Sequence, residues 1–230
     1  SDAGTADLIR ELGLAAPGTD FESDLQYISI IGSIEGHIAL PMENKTTKYE
    51  HLIPQLIAVE ENPKLRGLLV ILNTMGGDVE AGLALAEMIA TLSKPTVSLV
   101  LGGGHSIGIP LATATDYSFI AGTATMTLHP IRTTGLVITA ETTFDYMRKT
   151  QDRVIDFIAG HSRATRKRVT ELMNCSDNMS NDVGTILFGK EAVDAGIIDA
   201  VGGVSQALGE LRRRVAKVDE LEKEISISTD

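Results

Sequence analysis

A chain of 230 residues, 43% hydrophobic and 22% charged, holds enough material for one large globular domain or two small ones around a sizeable core. Its 20 basic against 31 acidic residues leave a formal net charge of -11, which argues against nonspecific binding to nucleic acid or an anionic membrane, both of which call for basic patches. One cysteine, Cys175, excludes an intramolecular disulfide; with no leader-like pattern and no apolar run approaching ~18 residues, the expectation is a cytoplasmic protein without a membrane anchor.

In chain order, residues 1–24 are polar and read as a flexible arm with one short amphipathic piece around Leu8 to Leu12. Two short strands are expected at Tyr27–Ile31 and His37–Leu40, separated by Gly32 and Gly36. Residues 47–62 carry helical spacing at Leu52, Ile53, Leu56, Ile57 and Val59, and Asn62-Pro63 ends the pattern. The continuous apolar run Leu68–Leu72 predicts a strand buried on both faces. A glycine turn at Gly76-Gly77 and a helix from Val79 to about Leu92 follow.

The plan then repeats: an apolar strand over residues 96–101, a run of three glycines, and a helix over 106–115. Residues 117–120 and 123–128 are two more strands, expected to form a hairpin whose second arm delivers His129 before Pro130 stops it. A helix over 139–159 aligns Phe144, Met147, Gln151, Val154 and Ile158, the spacing of an interaction face. A basic helix over 165–173 reads as a solvated or ion-paired face, and Lys190–Ala195 as a small helix stopped by Gly196. A charged helix and tail fill 205–230. Alternating β and α signals over 25–204 give one α/β domain with a mainly parallel sheet.

The chemistry concentrates at Gly104-x-Ser106-x-Gly108, which fits G-x-S-x-G, a tight turn that lifts a serine hydroxyl clear of the backbone. Acyl transfer by serine also needs a base, a group orienting that base, and an oxyanion hole. His129 is the best candidate base because a strand end holds a side chain rigidly at one sheet edge. His105 adjoins the serine, but neighbours on a tight turn diverge, so its ring is expected to point elsewhere. Gly76-Gly77 follows a parallel strand and should share the serine's carboxyl edge. There the backbone N–H groups of Gly77 and Ile107 could face one oxyanion. No histidine stands at a metal-ligand spacing, so neither a metal nor a cofactor is expected.

Together these residues resemble the ClpP family of serine peptidases from about Tyr27 to Gly203. The resemblance rests on Asn73-x-x-Gly76-Gly77-x-Val79-x-x-Gly82, the turn ending Ser106-Ile107-Gly108, His129-Pro130, and Glu191-Ala192-Val193-x-x-Gly196-x-Ile198-Asp199. The run from Gly102 to Gly108 and the segment Asp182 to Thr185 look most like the family's translocation-enhancing branch. The resemblance implies the crotonase-like ClpP fold of repeated ββα units. It also implies Ser106 as nucleophile, His129 as general base, and the N–H groups of Gly77 and Ile107 as oxyanion hole. For the third triad member the family interval lands near Gly184, so Asp182 is reached with a two-residue insertion. Asp177 is the fallback, and an asparagine or no third residue remains open.

The family further implies peptide or unfolded-protein substrates and a homo-oligomer of heptameric rings stacked in pairs, with the 139–159 helix as the interlocking handle. An ATPase partner is not carried over, because the N-terminal region departs from the family's. Three other readings compete. An α/β-hydrolase would need an acid and then a histidine near the chain end, and His161, with Asp152 and Asp156 just before it, suits that order poorly. A serine–lysine dyad of the signal-peptide-peptidase type would use Lys149 and leave His129 unexplained. A crotonase hydratase would not demand a serine–histidine pair. Outside the enzymes, a catalytically decayed ClpP-like assembly scaffold is the alternative.

Overall fold

The apolar run Leu68–Leu72 occupies the middle of the sheet, and the remaining layers are laid against it. The computed structural model describes residues 23–132, 139–176 and 183–228. In it the run lies within β3 (Gly67–Gly77), flanked in parallel by β1 (Leu25–Glu35) and β4 (Thr96–Gly104). The sheet continues outward to β2 (Thr46–Lys48) beyond β1, and to β5 (Tyr117–Ile120) and β8 (Ala200–Val201) beyond β4, all in parallel. A smaller ribbon leaves the main sheet at one point: β6 (Thr125–Leu128) meets β4 through Gly103 and Thr125, then pairs antiparallel with β7 (Thr185–Phe188).

Period-two alternation decides which core each strand residue enters. Leu68, Val70 and Leu72 join a large cluster with Leu56 of α1 (Tyr49–Glu61), Leu85 and Ile89 of α2 (Val79–Ala90), and Ile109 and Leu111 of α3 (Gly108–Thr113). Leu69 points the other way, into a smaller cluster with Val97, Leu99 and Phe119. That face is closed by Ala207, Leu211 and Val215 of α7 (Val204–Ser228), three residues at four-residue intervals on an otherwise charged helix. With apolar layers on both sides, the central strands read as continuous hydrophobic runs. Three helices complete the described chain: α4 (Ala140–Gly160), α5 (Arg166–Met173) and α6 (Gly189–Asp194).

The fold is the mixed α/β architecture expected, and it corrects three local expectations. His37–Leu40 is not a strand. Gly32, at φ 78°, is a bulge that β1 runs through, and Ser33 N–H there donates to Lys45 O at 2.9 Å. The chain then leaves the sheet, with Ile38 80% exposed, and returns as β2. Secondly, β4 does not stop at Leu101 but carries its three glycines as strand, and α3 starts only at Gly108. Thirdly, β5 and β6 form no hairpin: β5 stays in the main sheet while β6 takes β7 as its antiparallel partner. The expected arm at residues 1–24 lies almost wholly outside the described residues.

The outer strands are tied by a reciprocal pair. The Asp199 carboxylate accepts from Ser118 N–H at 2.9 Å and from the Ser118 hydroxyl at 2.8 Å, while Asp199 N–H donates to Ser118 Oγ at 3.0 Å. Ser118 is buried. Replacing Asp199 with alanine leaves buried donors without a partner and is expected to cost about 2 kcal/mol in urea unfolding. Asp199→Asn, which keeps an acceptor, should recover part of that loss.

Candidate active site

The carboxyl ends of β3 and β4 separate and rejoin. Leu72 pairs with Val100, and the next pairing is Thr74 with Gly104, so β4 spends four residues where β3 spends two. The surplus arches out through Leu101, Gly102 and Gly103. Asn73 Oδ1 accepts from Gly103 N–H at 3.0 Å and holds the arch. Thr74 fixes its base: its hydroxyl donates to Gly32 O at 2.6 Å and accepts from Gly76 N–H at 3.0 Å, while its carbonyl accepts from His105 N–H at 3.1 Å.

Ser106 stands at the crest with φ 56°, the one non-glycine residue among those described with a positive φ. That conformation costs an L-residue about 1–2 kcal/mol and persists only where the surroundings enforce it. Here Ser106 N–H donates to Thr127 O at 2.9 Å, Gly108 N–H to His105 O at 2.9 Å, and Ile109 N–H to Ser106 O at 3.0 Å. The Gly76-Gly77 pair lies directly against this turn. A Cβ on Gly76 would stand 2.7 Å from Ser106 Cβ, and one on Gly77 would stand 2.2 Å from Ile34 O. Both positions have positive φ, 93° and 151°.

His129 follows the last residue of β6, as the sequence places it. Its Nδ1 is 2.7 Å from Pro130 O. A carbonyl only accepts, so Nδ1 carries the hydrogen and Nε2 is left as the basic nitrogen. Ser106, His129, Gly77 and Ile107 line one cavity of about 170 Å³. Val79, Leu128, Ile131, Val154 and Met173 give it apolar walls, and Arg132 also lines it. Ser106 and His129 share this cavity without a direct hydrogen bond.

Asp182 and Asp177 lie outside the described residues. The backbone flanking them is described: Gly184 N–H donates to Cys175 O at 2.7 Å, and a Cβ on Gly184 would stand 3.0 Å from His129 Cβ. Both ends of that segment therefore come together beside the histidine.

His105 does point away from the cavity, as expected, with its Nδ1 2.9 Å from Thr127 Oγ1. Burial, and then the neighbouring His129, push its pKa below the ordinary histidine value. His161 is stacked on Phe157 with ring centroids 4.1 Å apart, and His37 meets the edge of Tyr49. Lys149 is exposed on α4 and does not line the cavity. Among the described residues no group of three potential ligands could hold a metal ion. The sequence reading named Asn73 only as part of the family motif and missed its hold on the arch, and it missed Thr74 and Thr127. A threonine and an asparagine at the end of an apolar strand, just before a glycine pair, were the available signal.

The model of the Clp protease family matches this chain over residues 23–205. The chain belongs to that family. It is 54% identical over 215 residues to the translocation-enhancing protein TepA of Halalkalibacterium halodurans, covering 94% of this chain and 84% of that protein. It is also 25% identical over 162 residues to the ATP-dependent Clp protease proteolytic subunit of Streptococcus uberis, covering 65% of this chain and 76% of that one. The first relative carries the branch that Gly102–Gly108 and Asp182–Thr185 had indicated.

If positive φ at residue 106 stores strain, glycine should relieve it. Ser106→Gly is expected to hold or raise the free energy of unfolding, by up to about 1 kcal/mol. A loss larger than that, measured in urea against wild type, would contradict the strain assignment.

Proposed function

We propose that this protein is a serine endopeptidase that cleaves peptides or unfolded proteins through an acyl-enzyme. The observation that carries the reading is the shared cavity in which Ser106, His129, Gly77 and Ile107 meet. In this mechanism Ser106 Oγ attacks the scissile carbonyl while His129 Nε2 takes the hydroxyl proton. The N–H groups of Gly77 and Ile107 donate to the oxyanion of the tetrahedral intermediate. His129 then returns its proton to the leaving amine, and water hydrolyses the ester by the same steps in reverse. Asp182 is the proposed carboxylate, with Asp177 second. Either must take the Nδ1 hydrogen that Pro130 O accepts in the described geometry. The apolar walls from β6, α2, α4 and α5 suit an apolar side chain beside the scissile bond.

The proposed working form is an assembly of copies of this chain in stacked heptameric rings, and the proposed location is the cytoplasm. Supporting the assembly is the way α4 divides. Its second half buries Val154, Ile155, Phe157 and Ile158, whereas its first half leaves Phe144 68% and Tyr146 61% exposed. Phe144 thus extends the buried side of Ile155 and Ile158, and Tyr146 that of Phe157, onto a surface that a second copy could cover. Among the described residues no helix is long and apolar enough to cross a membrane.

A fluorophosphonate probe is expected to label the wild-type protein and not Ser106→Ala. His129→Ala should slow labelling by about 10³-fold or more, and Lys149→Ala should leave it unchanged. Of Asp182→Asn and Asp177→Asn, the one that removes the orienting carboxylate should slow turnover by about 10³–10⁴-fold. An intact assembly without Ser106-dependent labelling would make the protein a scaffold. Light scattering is expected to give a mass many times the 24.5 kDa of one chain, falling toward it when Phe144 and Tyr146 are both replaced by aspartate. A monomeric wild type would overturn the assembly.

A further inference from the structure

The half-buried ring of His105 adjoins the nucleophile yet lies outside the cavity that Ser106 and His129 line. Its path is built for it. The ring folds back over Gly103, where a Cβ would come within 2.5 Å of its Nε2 and 2.8 Å of its Cδ2. Gly103 is buried and pairs with Thr125 at the point where β4 meets β6. The missing side chain leaves the space through which the histidine crosses from the β4 arch onto β6. There its Nδ1 meets the Thr127 hydroxyl at 2.9 Å, while the Thr127 carbonyl accepts the Ser106 N–H at 2.9 Å. One threonine therefore grips the serine turn twice. Two residues further on, just past the end of β6, stands His129.

We infer that His105 is a positioning residue for the Ser106–His129 pair: its bond to Thr127 latches the serine turn to the strand that carries the base. The inference rests on the acyl-transfer reading of the site. Without the latch, the turn is held to β6 by one backbone hydrogen bond, and the distance from Ser106 Oγ to His129 Nε2 is free to widen. A displacement of about 1 Å between reacting groups can cost on the order of 10²-fold in rate. The surroundings also keep the latch neutral. Against the ring are Gly103 of β4 and the Thr127 hydroxyl of β6, neither of them charged; His129 is the titratable neighbour, and Arg132 lines the adjoining cavity. A neutral His105 sets no second positive charge against the imidazolium that forms on His129 during acylation.

The rate of fluorophosphonate acylation in the assembled protein tests this. His105→Ala and Thr127→Val are each expected to slow acylation by about 10- to 100-fold. The double variant should be no more than about threefold slower than the worse single one, because both remove the same bond. His105→Gln, which can still reach the hydroxyl, should recover most of the rate. Wild-type rates in His105→Ala, or fully additive losses, would overturn the latch. A second arm needs no activity: ring-nitrogen NMR on Ser106→Ala. There His105 should titrate below the ordinary histidine value of about 6.5 and move upward when His129→Gln removes the neighbouring charge. Thr127→Val should shift its Nδ1 resonance. A ring indifferent to both changes would also overturn the inference. Should the wild-type protein fail to acylate, the reading of the site fails instead, and the ring-nitrogen arm alone decides the latch.

Discussion

The structure depends on one buried hydroxyl. Thr74 is 1% exposed and uses both its donor and its acceptor, reaching back to Gly32 on β1 and forward to Gly76 on its own strand. Its carbonyl meanwhile holds the N–H of His105, beyond the end of β4. Three parallel strands are therefore locked together at the level where their regular pairing fails. The register slips between Gly32 and Ser33 on one side of β3 and between Leu72 and Thr74 on the other. Regular parallel pairing would leave no room for an arch. The two slips make that room, and Thr74 keeps them from spreading into the sheet.

From this constraint follows a division of labour. The glycine pair belongs to the main sheet, where pairing on both edges gives rigidity, and Ser106 to the turn that leaves it at the end of β4. His129 follows the β6–β7 ribbon, which touches the main sheet at Gly103 and Thr125. The cavity walls come from helices that pack against both, and Gln151 of α4 accepts from Ile131 N–H at 3.1 Å, close behind the histidine. Arg166 of α5 in turn bonds Asp152 and Asp156 of α4 at 2.5 and 2.6 Å. The pocket is a joint product of sheet, ribbon and helices.

Much of this was legible because the informative signals are local. The run Leu68–Leu72 named the central strand, the spacing through Leu83, Leu85, Ala86 and Ile89 named α2, and glycine-rich turns after two buried strands brought Ser106 and Gly77 to one edge. What escaped was fixed by contacts distant in sequence. Gly32 reads as a strand end, yet the bond from Ser33 to Lys45 carries β1 straight through it. Nothing in residues 117–128 says that β6 will pair with Thr185–Phe188 instead of with β5. The hydrogen bonds of Thr74 and Asn73 could not be read locally, since their partners lie on β1 and on the β4 arch. Asp182 and Asp177 fall outside the described residues, so the orienting acid rests on family resemblance and on the flanking backbone beside His129.

The strained serine has a consequence for substitution. Around it, drift is blocked by collision: an added methyl at Gly76 meets the turn, one at Gly77 meets β1, and one at Gly103 meets a ring. Residue 106 differs, because its hydroxyl makes no hydrogen bond that holds the fold and its backbone angle suits glycine better than serine. Judged by folding alone, this side chain could be discarded while the scaffold stayed intact. A serine held at that angle marks a place where folding alone would favour another residue.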